Sequence, residues 1–350
     1  MPMKVYSILV FLTLILLASC SEDFKVGADY RDITVVYGLL SKSDTANYIR
    51  ITKGFYDEEQ DNLILASVAD SIYYNNIDVK LEQYSNGNLV STILLDRVDV
   101  NLEGFTKDSG LFASTPNIAY KFKTPLNAGS QYKLVIRNLT NGKLITATTG
   151  IINDDANVFK VEYPKGLFDR INIAEPTGIS VYTWNAPPNS AFFDVVLRFW
   201  YQEKNNTTLL TTYKFKDLPL SRNIQSSGGT VSVQVSNEEF YRLLNSELGA
   251  APANISRYVD TPDVVVLAGG VVLKTYIDVS TAQGGLTFDQ IRPIYTNIYS
   301  EGVLGKDALG LLSTRAVRIE KFVPFNKNSI DSIIGGSLTK NLNFVGVSNQ

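Results

Sequence analysis

Short runs of β-branched and aromatic residues, bounded by polar turn residues, recur along most of the chain and constrain its fold more than any other feature. In the first half they occupy residues 33–40 (ITVVYGLL), 48–52 (YIRIT) and 79–84 (VKLEQY). Runs of this length and composition favour β-strands. We therefore predict an all-β chain, mainly strands with one or two short helices.

Two Asn-Gly pairs mark hairpins in the first half. The pair at 86–87 follows the third of these runs, and the pair at 141–142 separates residues 132–138 from 143–151. Asn and Gly tolerate the positive φ values of tight hairpin turns. Together the runs predict a sandwich of two sheets up to about residue 152.

The second half begins with a motif that resembles an immunoglobulin-like or fibronectin type III domain. Residues 178–188 (GISVYTWNAPP) precede a run at 192–201 (FFDVVLRFWY) in which apolar residues alternate. In such domains a Trp packs between two sheets. The resemblance implies that Trp184 is a core residue and that the chain carries two β-sandwich domains of this class in tandem.

Further strands are predicted downstream of this motif. Residues 209–218 and 230–235 are rich in β-branched residues, and the long apolar run 264–279 contains Gly269 and Gly270 at its centre. A Gly-Gly pair between two apolar runs is typical of a hairpin. We therefore predict that 264–279 is a hairpin folded at this pair.

One helix has clear terminal signals. Ser236 followed by Glu239 forms a capping-box pattern, and Gly249 stands where a helix ends. The apolar residues between them fall on one face, so an amphipathic helix is predicted near 236–248. A shorter helical turn is predicted at 329–334, before the Gly-Gly pair at 335–336.

The absence of histidine removes much of the usual catalytic chemistry. Of 350 residues none is His and one is Cys, which excludes Ser-His-Asp and Cys-His relays, imidazole metal sites and an intrachain disulfide. A formal charge of −3 and a pI near 5.3 argue against nucleic acid as a partner. No cofactor motif is present. We expect no enzyme, cofactor or metal site, although 35 acidic residues leave a catalytic carboxylate pair open.

The N-terminus has the pattern of an export signal. A short positively charged start at residues 1–4 precedes an apolar run of 14 residues at 5–18. A membrane-spanning helix needs about 20 apolar residues, so this run is too short to span comfortably. Residues 1–19 are therefore predicted to be a signal peptide.

The end of this run, LASC at residues 17–20, resembles the lipobox of bacterial lipoproteins. The resemblance implies that Cys20 begins the mature chain and carries acyl chains on its sulfur, which would hold the protein on outer-membrane lipid. Residues 21–23 (SED) resemble the surface-export signals of Bacteroidota lipoproteins. They imply an outer-membrane protein facing the exterior, and a solvated tether facing the periplasm is the alternative.

Several short motifs resemble a family of Bacteroidota outer-membrane lipoproteins of unknown activity. Residues 292–298 (RPIYTNI) and 310–315 (GLLSTR) are similar to its C-terminal signature, and 35–40 (VVYGLL), 48–51 (YIRI) and 70–74 (DSIYY) to its opening sheet. The resemblance implies a cell-envelope protein of unknown activity, of a kind often discussed together with TonB-dependent transporters. It transfers no catalytic residue.

The C-terminal signature is also the most distinctive candidate recognition loop. It contains Arg292, Tyr295, Asn297 and Arg315 among several glycines, with little apolar periodicity. Loops on a rigid sandwich commonly carry function. The alternative, which the residue types favour, is a structural corner in which Tyr295 and Asn297 bond neighbouring backbone.

The chain is thus divided into a signal peptide (1–19), a tether (20–30), an N-terminal β-sandwich (31–152) and a C-terminal fibronectin-III-like domain (153–350), with a helical insertion near 236–248. We expect a lipid-anchored surface lipoprotein that acts as a non-enzymatic binding or accessory protein, alongside a TonB-dependent transporter or another envelope protein. A fimbrial or adhesin-type structural subunit is the first alternative. A carboxylate-dependent hydrolase is the second.

Overall fold

The computed structural model describes residues 33–54, 62–165, 167–282 and 295–348. The predicted signal peptide, Cys20, the tether and Arg292 lie outside these residues. The described chain is mostly β-strand with short helices, so the predicted all-β class is confirmed. None of the described helices combines the length and apolarity needed to cross a membrane.

Eight strands and two short helices form the first half of the described chain. The strands are β1 (Ile33–Leu40), β2 (Asn47–Gly54), β3 (Ile77–Ser85), β4 (Asn88–Leu94), β5 (Asp96–Asp99), β6 (Ile118–Phe122), β7 (Gln131–Asn138) and β8 (Leu144–Gly150). The helices α1 (Asn62–Ser67) and α2 (Ala69–Ile72) lie between β2 and β3.

The second half adds longer strands and three helices. The strands are β9 (Val161–Glu162), β10 (Ile179–Asn185), β11 (Ser190–Asn205), β12 (Thr211–Gln225), β13 (Thr230–Ser236), β14 (Ile255–Val259), β15 (Asp263–Gly270), β16 (Tyr299–Ser300), β17 (Val303–Leu304), β18 (Ala308–Glu320) and β19 (Phe344–Val347). The helices are α3 (Asn237–Leu248), α4 (Val271–Ala282) and α5 (Lys327–Gly335).

One long sheet runs through both halves of the molecule. Its strand order is β19-β14-β11-β15-β18-β1-β2-β6-β5, with β12 paired to the other side of β11. Strand β1 pairs with β18 in parallel and with β2 in antiparallel orientation. A second sheet has the order β17-β16-β8-β7-β3-β4, and a third the order β13-β10-β9.

Two apolar cores lie on the same side of the long sheet. On β18, Ala308 and Leu312 belong to the first core and Ala316 to the second. These residues are four apart, so their side chains share one face of the strand. The second sheet covers the first core, and the third sheet with α3 and α5 covers the second.

The predicted core position of Trp184 is confirmed. It is 1% exposed and lies in the second core, with its ring centroid 5.3 Å from that of Phe193. The immunoglobulin-like identity of the sandwiches stays a prediction, as does the division of the chain at residues 152 and 153. The first core also includes Ile298, Ala308 and Leu312, so it is built from both ends of the described chain.

The two predicted Asn-Gly hairpins form where expected. Asn86 and Gly87 have φ of 48° and 79° and connect β3 to β4, and Gly142 has φ of 78° in the connection from β7 to β8. These are the left-handed conformations that favour Asn and Gly.

The predicted hairpin at 264–279 is wrong. Its first half is β15, but the second half is helix α4, which begins at Val271. Gly269 and Gly270 are strand residues and not turn residues. A Cβ on Gly269 would lie 2.1 Å from the Phe192 ring, and one on Gly270 would lie 2.8 Å from Thr314 Cγ2. The glycines therefore permit close packing across the sheet.

The predicted helix near 236–248 is α3, and its capping differs from the pattern. Ser236 is the N-cap residue, but its side chain makes no cap hydrogen bond, so the expected capping box is wrong in this respect. The helix ends before Gly249, whose N–H donates to the Asn245 carbonyl, as predicted. The predicted turn at 329–334 is part of α5, which Asn326 caps by accepting from the Ser329 N–H at 2.8 Å.

Candidate functional site

Strand β1 is apolar on both of its faces. Val36 and Leu40 are fully buried in the first core. Val35, Tyr37 and Leu39 point to the opposite face of the long sheet, where Tyr37 is 43% exposed. A strand with a single covered face usually alternates apolar and polar residues. The apolar outer face of β1 is therefore unusual for a solvent-exposed surface. It indicates a surface that contacts a ligand or another protein segment.

This outer face forms the floor of a two-lobed concave surface, which we call the outer groove. The α4 lobe has a volume of about 520 Å³ and is lined by Tyr37, Gly38, Leu39, Tyr48, Arg50, Val100, Phe105, Ala119, Leu273 and Leu311. The cationic lobe has a volume of about 650 Å³ and is lined by Val35, Tyr37, Arg50, Thr52, Lys53, Gly54, Ala66, Ile72, Tyr73, Lys107, Leu111 and Phe112. Tyr37 and Arg50 line both lobes, so the lobes adjoin at these residues.

Helix α4 forms one wall of the α4 lobe through a tyrosine pair. The hydroxyl oxygens of Tyr37 and Tyr276 are 3.4 Å apart, and the two rings meet edge to face at 6.3 Å. This hydrogen bond, together with burial, raises the pKa of Tyr37 to about 12. The Leu273 N–H donates to Ser313 Oγ at 3.1 Å and ties the start of the helix to β18. The wall is therefore held by polar contacts while its inner surface stays apolar.

Residues 100–105 form the opposite wall. The carboxylate of Asp99 accepts from the N–H groups of Asn101 and Asn117, at 3.1 and 2.9 Å. The Asn117 side chain donates to the Phe105 carbonyl at 3.0 Å and accepts from Arg50 Nη2 at 2.7 Å. One asparagine thus positions both the aromatic wall residue Phe105 and the cation shared by the two lobes.

A paired charge cluster borders the α4 lobe at Tyr48. The Tyr48 hydroxyl donates to Glu103, and Lys121 forms an ion pair with the same carboxylate. The hydrogen bond to Glu103 raises the pKa of Tyr48, and the bond from Lys121 lowers the pKa of Glu103. The Tyr48 ring also contacts that of Phe105 at 5.6 Å. These charges satisfy each other and support the wall.

The cations of the cationic lobe have a different environment. Arg50, Lys53 and Lys107 donate respectively to Asn117 Oδ1 at 2.7 Å, to the Asp70 backbone carbonyl at 2.8 Å and to the Ala113 backbone carbonyl at 3.0 Å. All three acceptors are neutral, and none of these cations forms an ion pair with a carboxylate among the described residues. Burial, and then the charge of Arg50, lower the pKa of Lys107. The lobe therefore concentrates positive charge beside apolar surface.

Of the predicted recognition residues, Tyr295, Asn297 and Arg315 are not among those that line the outer groove. The Asn297 side chain bonds the backbone of Leu312, accepting from its N–H and donating to its carbonyl, both at 2.9 Å. Arg315 forms an ion pair with Asp44. The backbone contacts of Asn297 are those that the corner alternative describes for this residue, whereas the described hydrogen bonds include none from the Tyr295 side chain. With Arg292 outside the described residues, the recognition loop stays a prediction.

In the described ranges, no group of three or more acidic or cysteine side chains is arranged to hold a metal ion. The acidic run at 57–61 lies outside those ranges.

Sequence reasoning missed the outer groove, although one signal was present. The run VVYGLL was interpreted as an ordinary strand, yet its alternate positions are apolar on both sides, which a strand at the surface of a two-layer sandwich does not require. The other lining residues come from six separate segments, and the sequence carries no pattern that joins them.

Comparison with known proteins adds little to these observations. No family model matches the sequence, and no curated protein matches it significantly. A mutant of Salmonella alpha-2-macroglobulin aligns at a TM-score of 0.20 and 11% identity, over 86% of this chain and 15% of that one. The collagen adhesin of S. aureus aligns at 0.11 and 9% identity, over 83% and 93% of the two chains. Scores this low give no basis for transferring fold or function.

Proposed function

We propose that this chain is a non-enzymatic binding protein of the bacterial cell envelope, anchored by lipid at Cys20, which captures an apolar ligand in the outer groove. The observation that carries the proposal is the groove itself. Ligand sites are typically concave, mostly apolar, about 300 to 1,000 Å³ in volume, and provided with a few fixed polar groups. Each lobe of the outer groove fits this description.

Binding in the groove is tested with the neutral fluorophore Nile red and the mature chain without its lipidated cysteine, residues 21–350. Because Leu39 lies on the groove floor, Leu39→Glu places a charge where the dye would sit. The matched control is Val90→Glu, since Val90 is an exposed strand residue on the second sheet. We expect saturable fluorescence enhancement with the natural chain and the control, and its loss in Leu39→Glu, with equal melting temperatures by circular dichroism.

Equal enhancement in Leu39→Glu and the natural chain would place the dye elsewhere and reject the groove as the binding site. If Leu39→Glu unfolds, Leu273→Glu replaces it, because Leu273 lies on the helical wall and not in the sheet.

The lipid anchor is tested separately by metabolic labelling. Bacteria that express the chain in the presence of alkyne-tagged palmitate are expected to label the natural protein and not Cys20→Ser. The labelled protein is expected to sediment with the outer membrane and to be cleaved by protease added to intact cells. Labelling of both proteins, or of neither, would contradict the anchor, and protection from protease would favour the periplasmic orientation.

The proposal also includes a partner protein in the outer membrane, which crosslinking tests. Crosslinking of whole cells followed by purification of the chain is expected to recover an outer-membrane protein, such as a TonB-dependent transporter. Recovery only of further copies of this chain in detergent-resistant oligomers would favour the structural-subunit alternative.

A further inference from the structure

We propose that the ligand of the outer groove is an amphipathic carboxylate, with an apolar body in the α4 lobe and its carboxylate beside Arg50, facing the cationic lobe. This proposal rests on the proposed function, because it assigns the chemical class of the ligand that the groove takes.

The apolar body is assigned to the α4 lobe from the residues that line it. Arg50 is the single charged residue among the lining side chains of this lobe, and the rest are aliphatic or aromatic apart from Gly38. Arg50 lies at the junction with the other lobe, which it also lines. An apolar chain in the α4 lobe therefore brings its polar end to the guanidinium.

The negative head group is assigned from the charge of the cationic lobe. Arg50, Lys53 and Lys107 line it, and all three donate to neutral oxygens. Three like charges on one partly desolvated surface repel one another, and an anion bound between them offsets this repulsion. A bound carboxylate reverses that repulsion, and charge-assisted hydrogen bonds to arginine and lysine are stronger than neutral ones.

Arg50 retains donors for such a ligand. Its Nη2 donates to Asn117, and that is its one side-chain hydrogen bond among the described residues. A guanidinium carries five N–H donors in a planar fork that matches a carboxylate. Since Asn117 fixes the orientation of this fork, the site is preorganised for a planar anion.

Tyr73 supplies an independent indication of a missing polar partner. Its side chain lines the cationic lobe and is 2% exposed, and its hydroxyl has no hydrogen-bond partner in the described part of the chain. Buried hydroxyls are almost always hydrogen-bonded, because an unsatisfied one costs about 1 to 3 kcal/mol. An oxygen-bearing ligand in this lobe would give that hydroxyl an acceptor after a small side-chain movement.

The experiment compares dodecanoate with dodecanol, which has the same chain and no charge. Isothermal titration of the mature chain, below micellar concentrations, is expected to give dodecanoate at least about tenfold higher affinity. The double variant Lys53→Met and Lys107→Met keeps apolar bulk and removes two of the three charges, while Arg50 stays. The ratio of dodecanoate affinity to dodecanol affinity is therefore expected to fall several-fold. The control is Lys216→Met, which removes an exposed cation on β12 in the other half of the molecule.

Each outcome separates this proposal from the one on which it rests. Equal affinity for the two compounds, or an unchanged dodecanoate advantage in the double variant, overturns the carboxylate assignment and leaves groove binding intact. Failure of both compounds and of Nile red to bind rejects the groove as a site. If the double variant does not fold, Lys107→Met alone is titrated and is expected to lose part of the advantage.

Discussion

The outer face of the long sheet differs between the part around β11 and the part around β1. On β11, the guanidinium of Arg198 donates to both carboxylate oxygens of Asp217, at 2.7 and 2.9 Å, and the Trp200 indole donates to Asp263 at 3.0 Å. Around β1, Lys121 is paired with Glu103, but the three cations of the cationic lobe donate to neutral oxygens. The same sheet therefore carries a part where Arg198 and Asp217 are paired and a part where, among the described residues, three cations have no carboxylate partner.

This difference supports the proposed binding site around β1. Polar groups that are already paired with each other gain little from a ligand, whereas cations held beside apolar surface are stabilised when an anion binds them. Both parts of the sheet have buried cores of similar kind beneath them, so the contrast is confined to the outer face.

The largest loss in the free energy of unfolding is expected from Gly310→Ala, which disrupts the pairing of β1 with β18 in the long sheet. Gly310 has φ of 101°, and a Cβ there would lie 1.9 Å from the Val36 carbonyl oxygen of the neighbouring strand. The clash and the strained backbone together are expected to lower the free energy of unfolding by more than about 3 kcal/mol. Urea denaturation measures this loss.

The control is Gly142→Ala. Like Gly310, Gly142 has a positive φ, but a Cβ there would meet no atom within 4 Å. Its free energy of unfolding is expected to fall by about 1 kcal/mol, from the strained backbone conformation alone. Similar losses in the two variants would mean that the approach of β1 to β18 is looser than the structure has it.

A smaller loss is expected from Trp200→Ala on β11, where Arg198 and Asp217 are paired. The substitution removes the hydrogen bond to Asp263 and the contact with the Phe215 ring, whose centroid is 4.8 Å away. We expect a loss of about 2 kcal/mol in the free energy of unfolding, and no change in Nile red affinity. Weaker dye binding would break the comparison, because it would place the ligand around β11 as well as around β1.

The smallest change in the free energy of unfolding is expected from Lys107→Met, and it is an increase. Because burial lowers the pKa of Lys107, folding disfavours its charged form, and the variant is expected to be slightly more stable than the natural chain at neutral pH. Between the lowered folded pKa and the ordinary lysine value the unfolded chain binds more protons, so the stability of the natural chain rises with pH there. The gap between variant and natural chain should close through that window.

Urea denaturation of both proteins from neutral to alkaline pH measures this gap. A variant less stable than the natural chain at neutral pH would mean that the contacts of Lys107 with the Ala113 carbonyl and the Phe112 ring outweigh the cost of its burial, which would remove the contrast.

Local patterns predicted the elements and not the surface between them. Asn86 with Gly87, the alternation over 192–201 and the signals around α3 are all short-range features, and each gave the correct element. The run 264–279 failed because a short apolar stretch fits a strand or a helix equally well, and because Gly269 serves packing against Phe192 instead of a turn. The outer groove requires Tyr37, Phe105, Leu273 and Leu311 to meet, which depends on long-range pairing.

The parallel pairing of β1 with β18 has a consequence for how the chain acquires its binding surface. Thr314 donates to the Leu40 carbonyl across 274 positions, so two distant parts of the polypeptide meet beside the groove floor. Contacts of such high sequence separation form late. A polypeptide that ends before residue 308, where β18 begins, leaves one edge of β1 unpaired and open to other strands. The lining of the α4 lobe, which includes Leu311, is therefore complete only after β18 has been synthesised.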